Sequence, residues 1–160
     1  MKNKNVLFTT QAAMIAAIYV VLTILFRPFS FGEIQVRIAE ALTILPVFTP
    51  AAVPGLFIGC LIGNIIGGSV LSDIIFGSLA TLIGAIFTYF LRNKTPFLIP
   101  LPPIISNTVI IPYVLRYAYG ITLPIPFMML TVGIGEILSC GVLGMILYFA
   151  LYKYKNHIFK

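Results

Sequence analysis

The 160-residue chain carries only four acidic residues, Glu33, Glu40, Asp73 and Glu136. In the stretch FGEIQVRIAEALTILPVF, residues 31–48, Glu33, Arg37 and Glu40 fall four and three residues apart. A helix there stacks all three on one face. The rest of the stretch is apolar. Glu136, in VGIGEILSCG, is a lone carboxylate flanked by apolar residues. Such a group must be protonated, paired with a distant arginine, or matched to a ligand. Asn64, Asp73 and Asn107 are further polar residues within or bordering apolar runs. Each also has a structural use. Asp73 suits the first turn of a helix, where a negative charge complements the dipole. Arg37 and Glu40 suit an ion pair with each other or with Glu33, and Asn64 suits an interhelical hydrogen bond.

The catalytic inventory is thin. The one histidine, His157, lies in a basic tail, so no histidine-based metal site or intramembrane histidine–carboxylate pair is expected. No G-x-x-x-x-G-K-[ST] phosphate loop occurs. Ser78 and Ser106 lack a neighbouring base. These features argue against an enzyme and against a nucleotide hydrolase, and no cofactor is implied.

The elements that hold these groups are apolar. Hydrophobic residues make up 60% of the chain and charged residues 9%, with a mean hydropathy of +1.09. Soluble domains carry about a quarter charged residues. The composition is that of an all-α, multi-pass membrane protein forming one transmembrane domain over 1–160. Each crossing needs about 20 apolar residues, and six candidate spans appear, over 7–25, 34–48, 51–68, 73–91, 104–119 and 126–152. Prolines punctuate their borders, and Thr49–Pro50 reads as an N-cap with proline at the first helical position. The first span is read as retained rather than as a cleaved signal.

The formal charge of +6 is distributed as a topology signal, not as a nucleic-acid surface. Lys2 and Lys4 precede the first span, Arg92 and Lys94 follow the fourth, and Lys153, Lys155 and Lys160 follow the sixth. All three clusters face the cytoplasm only if the short second segment crosses, which places both termini inside. Glu33, Glu40 and Asp73 then fall in the outer half with Asn64. Glu136 is near mid-membrane, whereas Asn107, counted from Pro103, falls nearer the cytoplasmic end.

Gly55, Gly59, Gly63 and Gly67 recur every fourth residue, a flat face for close helix packing in lipid. The first span carries Ala12, Ala13, Ala16 and Ala17, a small-residue stripe suited to internal packing or to a partner subunit. Cys60 and Cys140 lie in apolar segments and read as packing thiols. A polar pocket open to the outside, without an energy source of its own, suggests capture of a small polar solute with a partner driving transport.

The blocks IQVRIAEALTILPVFTPAAVPGLFIGCLIGN, SDIIFGSLATLIGA, PLPPIISN and VGIGEILSCGVLG resemble, in order and spacing, the QueT family. Those proteins are substrate-binding S components of energy-coupling factor (ECF) transporters for queuosine precursors. Departures from the family pattern fall at Ala39, Pro112 and Gly141. The resemblance implies a six-helix S-component fold in the cell membrane. It also implies assembly with a transmembrane coupling protein and two cytoplasmic ATPase subunits, which topple the S component so that its pocket opens inward. Ala12 and Ala16, or Ala13 and Ala17, are then candidates for contact with the coupling protein.

The implied ligand is a 7-deazaguanine, with or without a cationic aminomethyl arm. Glu136 or Asp73 suits its ring N–H and exocyclic amine, which a carboxylate accepts in two parallel hydrogen bonds. A second acid suits the cation. Gln35, Asn64 and Asn107 suit the carbonyl and remaining edges, Arg37 braces Glu40 or caps the pocket, and Tyr113 or Tyr117 stacks on the ring. The rival readings are an S component for another vitamin, a stand-alone proton-coupled carrier, and a purely structural subunit.

Overall fold

The computed structural model describes residues 2–27 and 36–155. Glu33, Gln35, Pro28, His157 and Lys160 lie outside them. The described chain is helical, with no strand among the described residues. Its six main segments are numbered α1 to α6: α1 (Lys2–Leu25), α2 (Ile38–Val47), α3 (Ala52–Gly67), α4 (Leu71–Phe90), α5 (Leu101–Tyr117) and α6 (Ile125–Tyr152). α1, α6 and the helical stretches built around α4 and α5 are long and apolar enough to cross a membrane. The protein is therefore a multi-pass membrane protein.

α2 differs from the expected span. It is shorter than 34–48 and is wound as a 3-10 helix with Pro46 inside it. Ten residues at about 2 Å rise reach roughly 20 Å, well short of a hydrocarbon core of about 30 Å. Every residue from Ala39 to Pro46 is buried. α2 is an inner rod packed by α1, α3, α4 and α6, so its polar residues Glu40 and Thr43 are enclosed along with the apolar ones. Arg37 precedes the helix in extended conformation. The expected one-face stack of Glu33, Arg37 and Glu40 therefore does not describe Arg37, which is free of helical spacing. The proposed N-cap is also displaced. α3 begins at Ala52, and Thr49 instead caps a lead-in turn, with the Ala51 N–H on Thr49 Oγ1 at 3.3 Å.

Glycines bring the backbones together. A Cβ at Gly55 would lie 2.7 Å from Ala12 O, one at Gly59 2.8 Å from Tyr19 Cβ, and one at Gly84 2.7 Å from Pro103 Cα. Gly63 faces Thr23 in the same seam. The glycine face of α3 thus seats α1, while Gly84 seats the start of α5 on α4. Gly68 ends α3 with φ +80, its N–H on Ile65 O at 3.2 Å, followed by Ser69 N–H on Asn64 O at 3.0 Å. That left-handed residue turns the chain into α4.

α6 changes its winding halfway. It is α-helical to Glu136, π-helical over Ile137–Leu143, and α-helical again from Gly144. The π stretch buries Ser139 and Cys140 and leaves Ile137 and Leu138 outward. A Cβ at Gly144 would meet Ile44 Cγ2 at 3.1 Å, so this glycine lets α6 lie close on α2. Two apolar clusters bracket the polar residues along α5 and α6. One contains Leu42, Ile44, Leu56 and Tyr148, the other Ile111, Leu115, Met128 and Val132.

Candidate functional site

Between those clusters lies a polar centre. Glu40, on α2, is 0% exposed and Glu136, on α6, 3%. A carboxylate oxygen of each, together with Cys140 Sγ, lies within 4.8 Å of the others. Tyr19 on α1 donates its hydroxyl to Glu40 Oε1, and Thr81 on α4 donates to the same oxygen at 3.2 Å. Cys140 Sγ is 3.2 Å from Glu136 Oε2. The Asn107 side chain adjoins both carboxylates from α5. Thr43 donates to Glu40 O at 2.6 Å and sits 3.4 Å from Cys140 Sγ. Five of the six segments thus converge directly on two acids, and Cys60 of α3 backs them at 3.4 Å from Thr81 Oγ1.

Local winding explains why these side chains meet. Glu136 is the last residue before the π stretch, and Cys140, four residues on, lies beside its carboxylate. π segments inside α-helices recur at functional sites. α5 begins at Leu101, so Asn107 lies nearer the start of the helix than its end, as expected, and there it meets both acids. Ser106 fixes that register by donating to Ala80 O at 3.0 Å.

A second polar group lies at the start of α4. Asp73 Oδ2 is 3.4 Å from Arg37 Nη2, with both side chains buried. Tyr119, beyond the end of α5, donates to the same oxygen at 2.9 Å. Asn64 Nδ2 reaches Asp73 O at 3.5 Å, an α3–α4 bond of the interhelical kind expected for it. Gly77 leaves room here, since a Cβ at that position would fall 3.0 Å from Asp73 Oδ1 and 3.3 Å from Asn64 Nδ2. Asp73 is also the first-turn acid of α4. Burial, and then the Asp73 carboxylate, hold the Tyr119 phenol above its ordinary value of 10.0.

The candidates therefore divide. Glu40, Glu136 and Asn107 come together in one group, and Arg37, Asp73 and Asn64 in the other. Gln35 lies outside the described residues. Tyr113 and Tyr117 belong to neither group and instead line a side groove of about 390 Å³ with Phe76 and Val109. Tyr117 is 79% exposed. In the alanine stripe, Ala16 is buried and Ala12 half-buried against α3, whereas Ala13 and Ala17 are exposed. Sequence reasoning missed Tyr19, Thr81 and Tyr119. Cys140 had a usable signal in its four-residue spacing from Glu136, but it was read as a packing thiol.

Buried ionisable residues inside a helical membrane protein are candidates for lining a solute or ion pathway. The chain belongs to the QueT transporter family, whose model matches residues 9–153. A relative from Lactococcus lactis subsp. cremoris (strain MG1363), named queuosine precursor transporter QueT, is 33% identical over 85 residues. That match covers 52% of this chain and 50% of the relative, so it spans about half the length of each protein. No solved structure matches the chain.

Proposed function

We propose that this chain captures a queuosine precursor, a 7-deazaguanine, as the substrate-binding S component of an ECF importer. The observation that supports this most directly is the convergence of Glu40, Glu136 and Asn107 in the buried centre of a QueT-family chain. Carboxylates accept paired N–H donors, and the side-chain amide of Asn107 supplies both a donor and an acceptor for the remaining edge. Asp73, Arg37 and Asn64 form the outer wall of the pocket, with Gln35 preceding it in the chain. In this reading α2 crosses together with the residues that flank it, all six segments form the transmembrane bundle, and both termini are cytoplasmic. A transmembrane coupling protein and two ATPase subunits supply the energy. Ala13 and Ala17 present the small-residue face to the coupling protein, because Ala12 and Ala16 are occupied by α3.

Two measurements test the reading. Calorimetric titration of the detergent-purified protein compares queuine, aminomethyl- and cyano-7-deazaguanine, guanine and an unrelated vitamin. One deazaguanine should bind tightly and lose about tenfold or more in Glu136→Gln, as expected for a buried hydrogen bond to a charged group. No binding by demonstrably folded protein would remove this solute. Co-purification with a coupling protein should fall in Ala17→Leu without loss of folding. Unchanged assembly in that variant would move the interface elsewhere.

A further inference from the structure

The charges in the buried region do not balance. Among the described residues three acids are buried, Glu40, Asp73 and Glu136, against one buried cation, Arg37. Arg37 is ion-paired with Asp73 at 3.4 Å. Glu40 is held in place by the Tyr19 and Thr81 hydroxyls on Oε1, yet its Oε2 has no hydrogen-bond partner although the residue is 0% exposed. The titratable groups that face this pair are Tyr19 from α1, Arg37 ahead of α2, Cys60 from α3 and Cys140 from α6. Thr81 of α4 and Asn107 of α5 complete the surroundings, and neither is a cation. One guanidinium serves three carboxylates.

A buried carboxylate pair short of counter-charge is costly until it takes up a proton or a positive group joins it. The neutral edge of a purine-like ring satisfies hydrogen bonds but leaves that deficit in place. An ammonium does both. A nitrogen about 2.8 Å from each of two oxygens bridges them whenever they are closer than about twice that distance. The 4.8 Å limit on the Glu40, Glu136 and Cys140 atoms meets this condition. We infer that Glu40 and Glu136 clamp the ammonium of the ligand, so that the chain takes amine-bearing 7-deazaguanines in preference to neutral ones. This inference rests on the binding role proposed above.

The test is calorimetry on the folded protein at neutral pH, with EDTA present, comparing aminomethyl- with cyano-7-deazaguanine. The two share the ring and differ in the arm's charge. The amine should bind about 10- to 100-fold more tightly, the range expected for a buried charge-assisted hydrogen bond. In Glu40→Gln that preference should collapse toward equality. Equal binding of both ligands by the wild type would overturn the clamp while leaving the deazaguanine reading intact. An amine preference that survives in both Glu40→Gln and Glu136→Gln would overturn it as well. Binding of neither ligand, nor of queuine, would overturn the functional reading and the clamp with it. The wild-type comparison needs no variant, so a variant that fails to fold does not remove the test.

Discussion

Two buried groups of charged residues lie in the same bundle, and they are built differently. At the start of α4, Asp73 is matched by Arg37 and by the Tyr119 hydroxyl. In the centre, Glu40 and Glu136 receive neutral donors, namely Tyr19, Thr81 and Cys140. The first group carries its own counter-charge, and the second is lined by neutral donors. Under the proposed binding role, this difference in charge separates an ion pair from a ligand site.

The contrast can be broken by mutation. Arg37→Ala should have the largest effect, lowering stability by about 3–5 kcal/mol because Asp73 is left buried without its cation. Thermal unfolding in detergent, run beside Glu136→Gln, measures this. If Glu136→Gln destabilised as much, the two groups would be energetically alike and the distinction would fail. Gly77→Ala should be milder, about 1 kcal/mol, since the added methyl crowds Asp73 and Asn64 but gains helix propensity. The same unfolding assay reads it.

The smallest effect concerns Tyr119. Its phenol titrates higher in the folded protein than its ordinary 10.0, so the unfolded chain loses that proton first as pH rises. The stability it contributes is therefore complete below about pH 10 and is lost as pH climbs through the folded value. Tyr119→Phe should lower the neutral plateau of a stability–pH profile by less than about 1 kcal/mol, the net worth of the lost hydrogen bond, and flatten its alkaline limb. An unchanged alkaline limb would show that the bond to Asp73 carries no such linkage.

Much of the architecture was legible in the residues because lipid imposes one rule on all spans. Apolar runs bounded by proline located α1, α3, α4, α5 and α6 to within a few residues, and the four-residue glycine period announced the seam that α1 fills. α2 was located but mis-shaped. A run that is buried on every side looks the same whether it crosses the membrane or lies inside the bundle, and nothing in its composition distinguishes 3-10 from α winding. Asn107 lies nearer the start of α5, as its count from the prolines implies, but nothing in its own segment shows that it meets Glu40 and Glu136.

By itself, then, the sequence determined that this is a helical membrane protein with a handful of polar residues in apolar surroundings, since hydropathy and glycine spacing are properties of single segments. It also marked Glu40, Asp73 and Glu136 as the residues whose burial requires an explanation. Only the tertiary structure decided which acid meets which partner. Glu40 and Glu136 are separated by 96 positions in the chain, and they meet where Gly144 lets α6 lie close on α2. Arg37 went to Asp73 by the same logic, because an extended residue ahead of a helix follows tertiary packing, not helical periodicity.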